Sequence, residues 1–217
     1  MMKIKAGPNP SHLTPFFRAD TFVQKLFKMK VKIAFLFMFA LSYAFGQSGF
    51  GIATFTMTIK GTSNLHDWES SAKELKANGS MTVDAATGLQ SIQALSVEIP
   101  VKGIKSTKGK VMDNKTYDAF NASDNPFITY KLERATVTKK DGGYEVNASG
   151  KLSMAGASNK IDMTVRGKAE SDGSITFSGS KKLKLSDFKM KRPTALLGTI
   201  TVGDEVEVIF KVTLKPS

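Results

Sequence analysis

From about residue 50 to residue 214, apolar and polar residues alternate with a period of two, in one short run after another. Successive side chains of a strand point to opposite faces, so this period describes half-buried strands and little else. In Ile52 to Lys60, Phe55, Met57 and Ile59 share one face and Thr54, Thr56 and Thr58 the other. In Glu205 to Leu214, Val206, Val208, Phe210, Val212 and Leu214 oppose Glu205, Glu207, Lys211 and Thr213. Between them come the rows Leu95, Val97, Ile99; Ile128, Tyr130, Leu132; Val146 to Met154 in steps of two; Ile161, Met163, Val165; Ile175, Phe177; and Leu183, Leu185. Turn signals punctuate the rows at Asp84 to Gly88, Asp141-Gly142-Gly143, Gly156 to Asn159, Asp172-Gly173 and Gly203-Asp204. Only Lys110 to Phe120 breaks the rhythm. Its apolar pairs recur at helical spacing, which predicts one or two short helical turns ending before Asn125-Pro126. About eight or more antiparallel strands at short spacing imply an up-and-down barrel or a sandwich. A barrel of about eight strands has an interior just wide enough for side chains or one slender ligand. Small residues (Ala148, Gly150, Gly167, Ala169) sit among the Met, Phe, Val and Ile of the inward rows. They fit a void and a flattened, packed barrel equally well.

Residue types that are missing narrow the chemistry. The 217-residue chain has no Cys, which excludes disulfides, thiolate nucleophiles and thiolate metal sites. His occurs only at His12 and His66, so no metal site built on several imidazoles is expected. The net charge is +12, but residues 1–46 carry seven Lys/Arg and one acid, leaving +6 for the rest. That remainder suits a solvated Lys-rich exterior and transient contact with an anionic membrane surface. The Lys residues are scattered, not interleaved with aromatics, so no nucleic-acid partner is expected.

Residues 29–46 have the plan of a signal peptide. Lys30 and Lys32 precede an apolar run from Ile33 to Tyr43, and Ala44 and Gly46 are small residues ahead of a cleavage point near Gly46/Gln47. The run is short for a membrane span. Residues 1–28 then read as a mis-assigned extension upstream of a start at Met29, with Met1 as the alternative start. The folded domain is expected over 48–217, in the periplasm or outside the cell.

Four ordered pieces carry a family resemblance: Gly61-Thr62-Ser63-Asn64-Leu65-His66-Asp67-Trp68 after the first strand; Asn125-Pro126-Phe127-Ile128; Leu152 to Lys160; and Ser186-Asp187-Phe188-Lys189-Met190-Lys191-Arg192-Pro193, followed by Gly203-Asp204-Glu205-Val206. In this order they resemble the YceI-like family, of the branch common in Bacteroidetes. The resemblance implies an all-β, lipocalin-like extended antiparallel barrel with a short helical insertion. It also implies a binding protein without a catalytic mechanism, some of whose relatives hold a polyisoprenoid chain in an apolar tunnel.

The expected function is sequestration or carriage of a polyisoprenoid or similar long-chain amphiphile, with no cofactor beyond an isoprenoid lipid or quinone as ligand. The candidate wall residues are Phe55, Met57, Ile59, Trp68, Val97, Ile128, Tyr130, Leu152, Met154, Met163, Phe177, Val208 and Phe210. His66 is the candidate head-group contact. Two other readings stand beside this one. One is a ligand-free structural or stress-associated barrel. The other is a hydrolase using His66, against which stands the expectation that His66 and Asp67 point to opposite faces of a strand.

Overall fold

Among the described residues these rows fold into eleven strands, with one α-helix where the alternation is interrupted. The structure, a computed structural model, describes residues 47–84, 86–195 and 198–216. The strands are β1 (Gln47–Ser63), β2 (Trp68–Ala72), β3 (Lys76–Asp84), β4 (Gly88–Pro100), β5 (Ile104–Ser106), β6 (Phe127–Lys140), β7 (Gly143–Met154), β8 (Ala157–Ala169), β9 (Ile175–Lys184), β10 (Thr194–Ala195) and β11 (Ile200–Pro216). The helix α1 spans Lys110–Phe120. The leader expected at 29–46, and the extension before it, lie outside the described residues.

Eight strands close on themselves in the order β1-β11-β9-β8-β7-β6-β4-β3, all neighbours antiparallel, with β3 returning to β1. This is the expected barrel, and closure leaves it without a free sheet edge along most of its girth. The short β2, β5 and β10 attach at one end only. That end also carries α1 and the turns at 155–156 and 186–188; the turns at 86–87, 141–142 and 170–174 mark the opposite end.

Local chemistry explains the corners. Ala155 (φ 51°) and Gly156 (φ 80°) both take positive φ between β7 and β8. This is the mirror-image two-residue turn whose twist matches a hairpin. Gly203-Asp204, expected as a turn, is continuous strand within β11. The helix is longer than expected: eleven residues, ended by Asn121 in the left-handed region. It is tied to the barrel through Asp113, whose carboxylate accepts from Ser106 N at 2.7 Å. Tyr117 adds a second tie, its hydroxyl donating to Lys102 O at 2.9 Å.

Of three buried clusters among the described residues, one of Ala72, Ile99 and Ile104 lies where β2, β4 and β5 meet, and the other two occupy the two ends. Phe50, Met81, Leu89, Tyr144, Ile175, Phe177 and Leu214 pack at the end away from the helix, where Leu89 N donates to the Tyr144 hydroxyl. Leu152, Met154, Leu185, Phe188, Met190, Val202 and Val206 pack at the helix end.

The barrel wall parts in two places. Thr58 faces Ser71 and Gly49 faces Ser80, nine residues further along each strand in one unbroken register, yet no ladder pair joins β1 to its neighbour between them. There β2 turns aside to pair with β5. Likewise β8 and β9 pair only over Arg166–Ala169 and Ile175–Ser178, so residues 157–165 and 179–184 face each other without ladder bonds.

Candidate functional site

The alternation that builds the wall also builds a continuous cavity inside it. It measures about 510 Å³, within the roughly 300–1,000 Å³ of small-molecule sites. Its lining runs from Phe50, Met81 and Leu214 at one end to Trp68, Met190 and α1 at the other. Twelve of the thirteen wall residues named from the alternation line it: Met57, Ile59, Trp68, Val97, Ile128, Tyr130, Leu152, Met154, Met163, Phe177, Val208 and Phe210. Phe55 does not; it is half-buried, although it pairs with Val212 in the same unbroken register that sets Met57 opposite Phe210 and Ile59 opposite Val208.

The helix contributes what strand periodicity could not reveal: Met112, Lys115, Thr116, Ala119 and Phe120 all line the cavity. Lys115 and Thr116, with Lys108, Ser63 and His66, make a polar reach at its helix end.

His66 is at this mouth, in the loop 64–67 between β1 and β2 and not on a strand. His66 and Asp67 therefore do not take the opposite faces of a strand that the alternation predicts. The hydrogen bonds give a different reason against a Ser–His–Asp device. Ser63 Oγ donates to His66 O at 2.7 Å and accepts from His66 N at 3.1 Å, both backbone groups. The His66 ring meets Asp67 through the backbone carbonyl, Nδ1 to O 2.9 Å. The three residues form a turn, with neither the nucleophile–base nor the base–carboxylate bond of a triad. Trp68 lies flat over Gly61, where a Cβ would collide with the indole, and its Nε1 donates to Thr62 O at 3.0 Å. The only Trp is thus fixed at the rim with its ring toward the cavity.

At the same end the Asp204 carboxylate accepts from Ser186 N (2.9 Å) and Ser186 Oγ (2.6 Å). These bonds hold its pKa below the ordinary value. The clamp positions the turn 186–188, which carries the buried Phe188 into the helix-end cluster.

Tyr130 carries a polar atom into the apolar lining. Its hydroxyl is buried over Gly150 and has no hydrogen-bond partner. Burial, with a lesser contribution from the Asp162 and Glu133 carboxylates, pushes the phenol up to about 12. The unfolded phenol ionises near pH 10. Below that pH both states are neutral and nothing is lost. From there to about pH 12 the unfolded chain releases the proton and the folded chain keeps it, so stability falls as pH rises through that window. Tyr130→Phe removes this proton. It should lose less stability than wild type between about pH 9 and about pH 11 in urea unfolding, and gain about 1 kcal/mol at neutral pH by deleting an unsatisfied buried hydroxyl.

Solved structures share this architecture at low identity. BcnA of Burkholderia cenocepacia superimposes with a TM-score of 0.57 at 20% identity, over 73% of this chain and 95% of its own. A polyisoprenoid binding domain from Saccharophagus degradans, implicated in plant cell wall breakdown, does so with 0.57 at 13% identity, over 79% and 100%. The YCEI protein of Campylobacter jejuni gives 0.51 at 24% identity, over 66% and 82%. No curated protein matches the chain. The profile of the YceI-like domain matches residues 66–214, from the rim histidine to the last inward residue of β11. A closed eight-stranded barrel, an apolar bore and a family profile covering most of its wall agree, and the chain belongs to the YceI-like family.

Proposed function

We propose that this protein is a binding protein that holds a polyisoprenoid or similar long-chain amphiphile in the bore of its barrel, and that it is not an enzyme. The observation that carries the reading is the continuous apolar cavity from Phe50 to Trp68. A long chain exposed to water costs about 0.8 kcal/mol per CH₂, so an apolar tunnel retains it with few directed contacts. Met57, Met112, Met154 and Met163 suit a flexible ligand of loosely defined shape, because the thioether side chain adapts. The polyisoprenoid binding domain that shares the fold supports the same class of ligand. His66, Lys108 and Lys115 line the cavity and give its helix-end mouth polar character.

Export to the periplasm or beyond is part of the proposal, on the strength of the basic, apolar and small-residue segments of 29–46. A transient membrane contact would serve loading and unloading.

Trp68 supplies an internal reporter. Titrating the delipidated protein with farnesol should shift and saturate the emission of this single Trp at a one-to-one ratio. An unchanged spectrum at saturating farnesol would count against a ligand in the bore.

A further inference from the structure

The second parting of the wall is more than a missing ladder. Between β8 and β9, pairing stops at Arg166–Ser178, and beyond the open stretch Asn159 Nδ2 of β8 donates to Asp187 O of the turn 186–188 at 2.7 Å. Across the open stretch, among the described residues, Lys181 alone reaches over, Nζ donating to Asp162 O at 2.7 Å. Lys181 occupies an inward position: it pairs with Val208, and its row continues through Phe177, Gly179, Leu183 and Leu185. A lysine in an apolar row is costly unless its ammonium finds polar surroundings. This one finds them at the gap.

A polar recess lies there on the outer side. It shares Ala148, Met163 and Lys181 with the lining of the apolar cavity, so the two meet at the gap. Its floor is a register row across three strands: Arg134 of β6 faces Ser149 of β7, and Ser149 faces Asp162 of β8. Beside it runs Thr136, Asn147 and Thr164, with Thr164 Oγ1 donating to Asn147 Oδ1. Ser149 is only 5% exposed, and its Oγ has no hydrogen-bond partner. Arg134 is without an ion-pair partner among the described residues. A buried, unsatisfied hydroxyl, a free guanidinium and an ammonium held by one carbonyl are all donors awaiting an acceptor. One carboxylate, Asp162, stands among them, so the two cations leave the recess net positive. The parting between β1 and β3 has no such rim; there Phe50 packs at Gly79, and Leu75 and Ala77 line the bore.

We infer that this gap is a window in the barrel wall and its recess a site for the oxyanion head group of an amphiphile, carboxylate or phosphate, whose tail lies in the bore. Arg134 and Lys181 bind the charge and Ser149 donates to it. The tail passes between Met163 and Lys181. This rests on the bore holding an apolar chain and adds the class of head group and where it sits.

The test compares three ligands with one tail, dodecanol, dodecanoate and dodecyl phosphate, on the delipidated full protein. Wild type is expected to bind one or both anions at least tenfold more tightly than the alcohol. Arg134→Gln with Lys181→Gln should bring that ratio close to one. Arg134→Gln alone, which leaves β9 intact, should lower it severalfold and serves if the double variant does not fold. The stronger anion identifies a fatty acid or an alkyl phosphate as the source. Equal binding of all three ligands, or an anion preference that survives in the variants, would overturn the head-group site while leaving the bore as a binding site. Failure of wild type to bind any of the three would overturn both.

Discussion

Phenylalanine at both Ala135 and Ala148 is expected to abolish lipid retention while leaving a folded barrel. The two alanines face each other across β6 and β7, and both line the bore. Their small side chains are part of what keeps the middle of the barrel open. Two rings there would displace chain from the cavity. If about four methylenes are lost, at about 0.8 kcal/mol each, binding weakens by about 3 kcal/mol, or roughly 100-fold. Overpacking in a filled core costs about 1–3 kcal/mol; rings entering empty space should cost less. Extracted lipid per mole of protein, with a thermal melt alongside, separates the two effects. A folded double variant that still carries lipid at the wild-type ratio would contradict the bore as the binding site.

The second large effect is expected at Phe188. It is 2% exposed and sits in the cluster of Leu152, Met154, Leu185, Met190, Val202 and Val206 at the helix end. Phe188→Ala removes a ring from a packed site, which costs about 3–5 kcal/mol. Total stabilities are about 5–15 kcal/mol, so this is a substantial fraction. For a domain of this size the unfolding midpoint should fall by roughly 6–20 °C. The melt must be made on delipidated protein, because a ligand that binds only the folded state raises the midpoint. A fall below about 2 °C would mean that the cluster does not close this end of the barrel.

These two sites mark what the amino-acid pattern could and could not convey. Alternation located the strands because a half-buried strand must alternate. The interruption at Lys110–Phe120 marked the helix, though its length depended on anchors at Ser106 and Lys102 that lie outside the helix itself. The twelve apolar residues read from the rows do line the bore, but alternation is the same for a wall around a void and a wall around a packed core. Ala148 and Gly150 sit in one row and differ in what they face: Ala148 lines the cavity, while Gly150 is covered by the Tyr130 ring. The row of Phe55, Met57 and Ile59 is legible in the alternation, whereas the extent of the cavity along it, which leaves out Phe55, is not. His66 and Asp67 were read as strand neighbours because the alternation continues into Trp68, whereas the hydrogen bonds of Ser63 make a turn there.

Lys181 shows the opposite case. Its place between Gly179 and Leu183 was visible in the chain, but a row judged by its apolar members passes over the charged one. Only the divergence of β8 from β9 gives that lysine a purpose.

A long apolar ligand in the bore is tested by producing residues 47–217 in a bacterial host, purifying without detergent, and comparing the native mass with the denatured mass. A discrete excess in the native mass, lost on denaturation and recovered in organic solvent as a long-chain lipid, is the predicted result. Equal native and denatured masses, together with no uptake when the delipidated protein is offered isoprenoid alcohols, quinones and fatty acids, would contradict it.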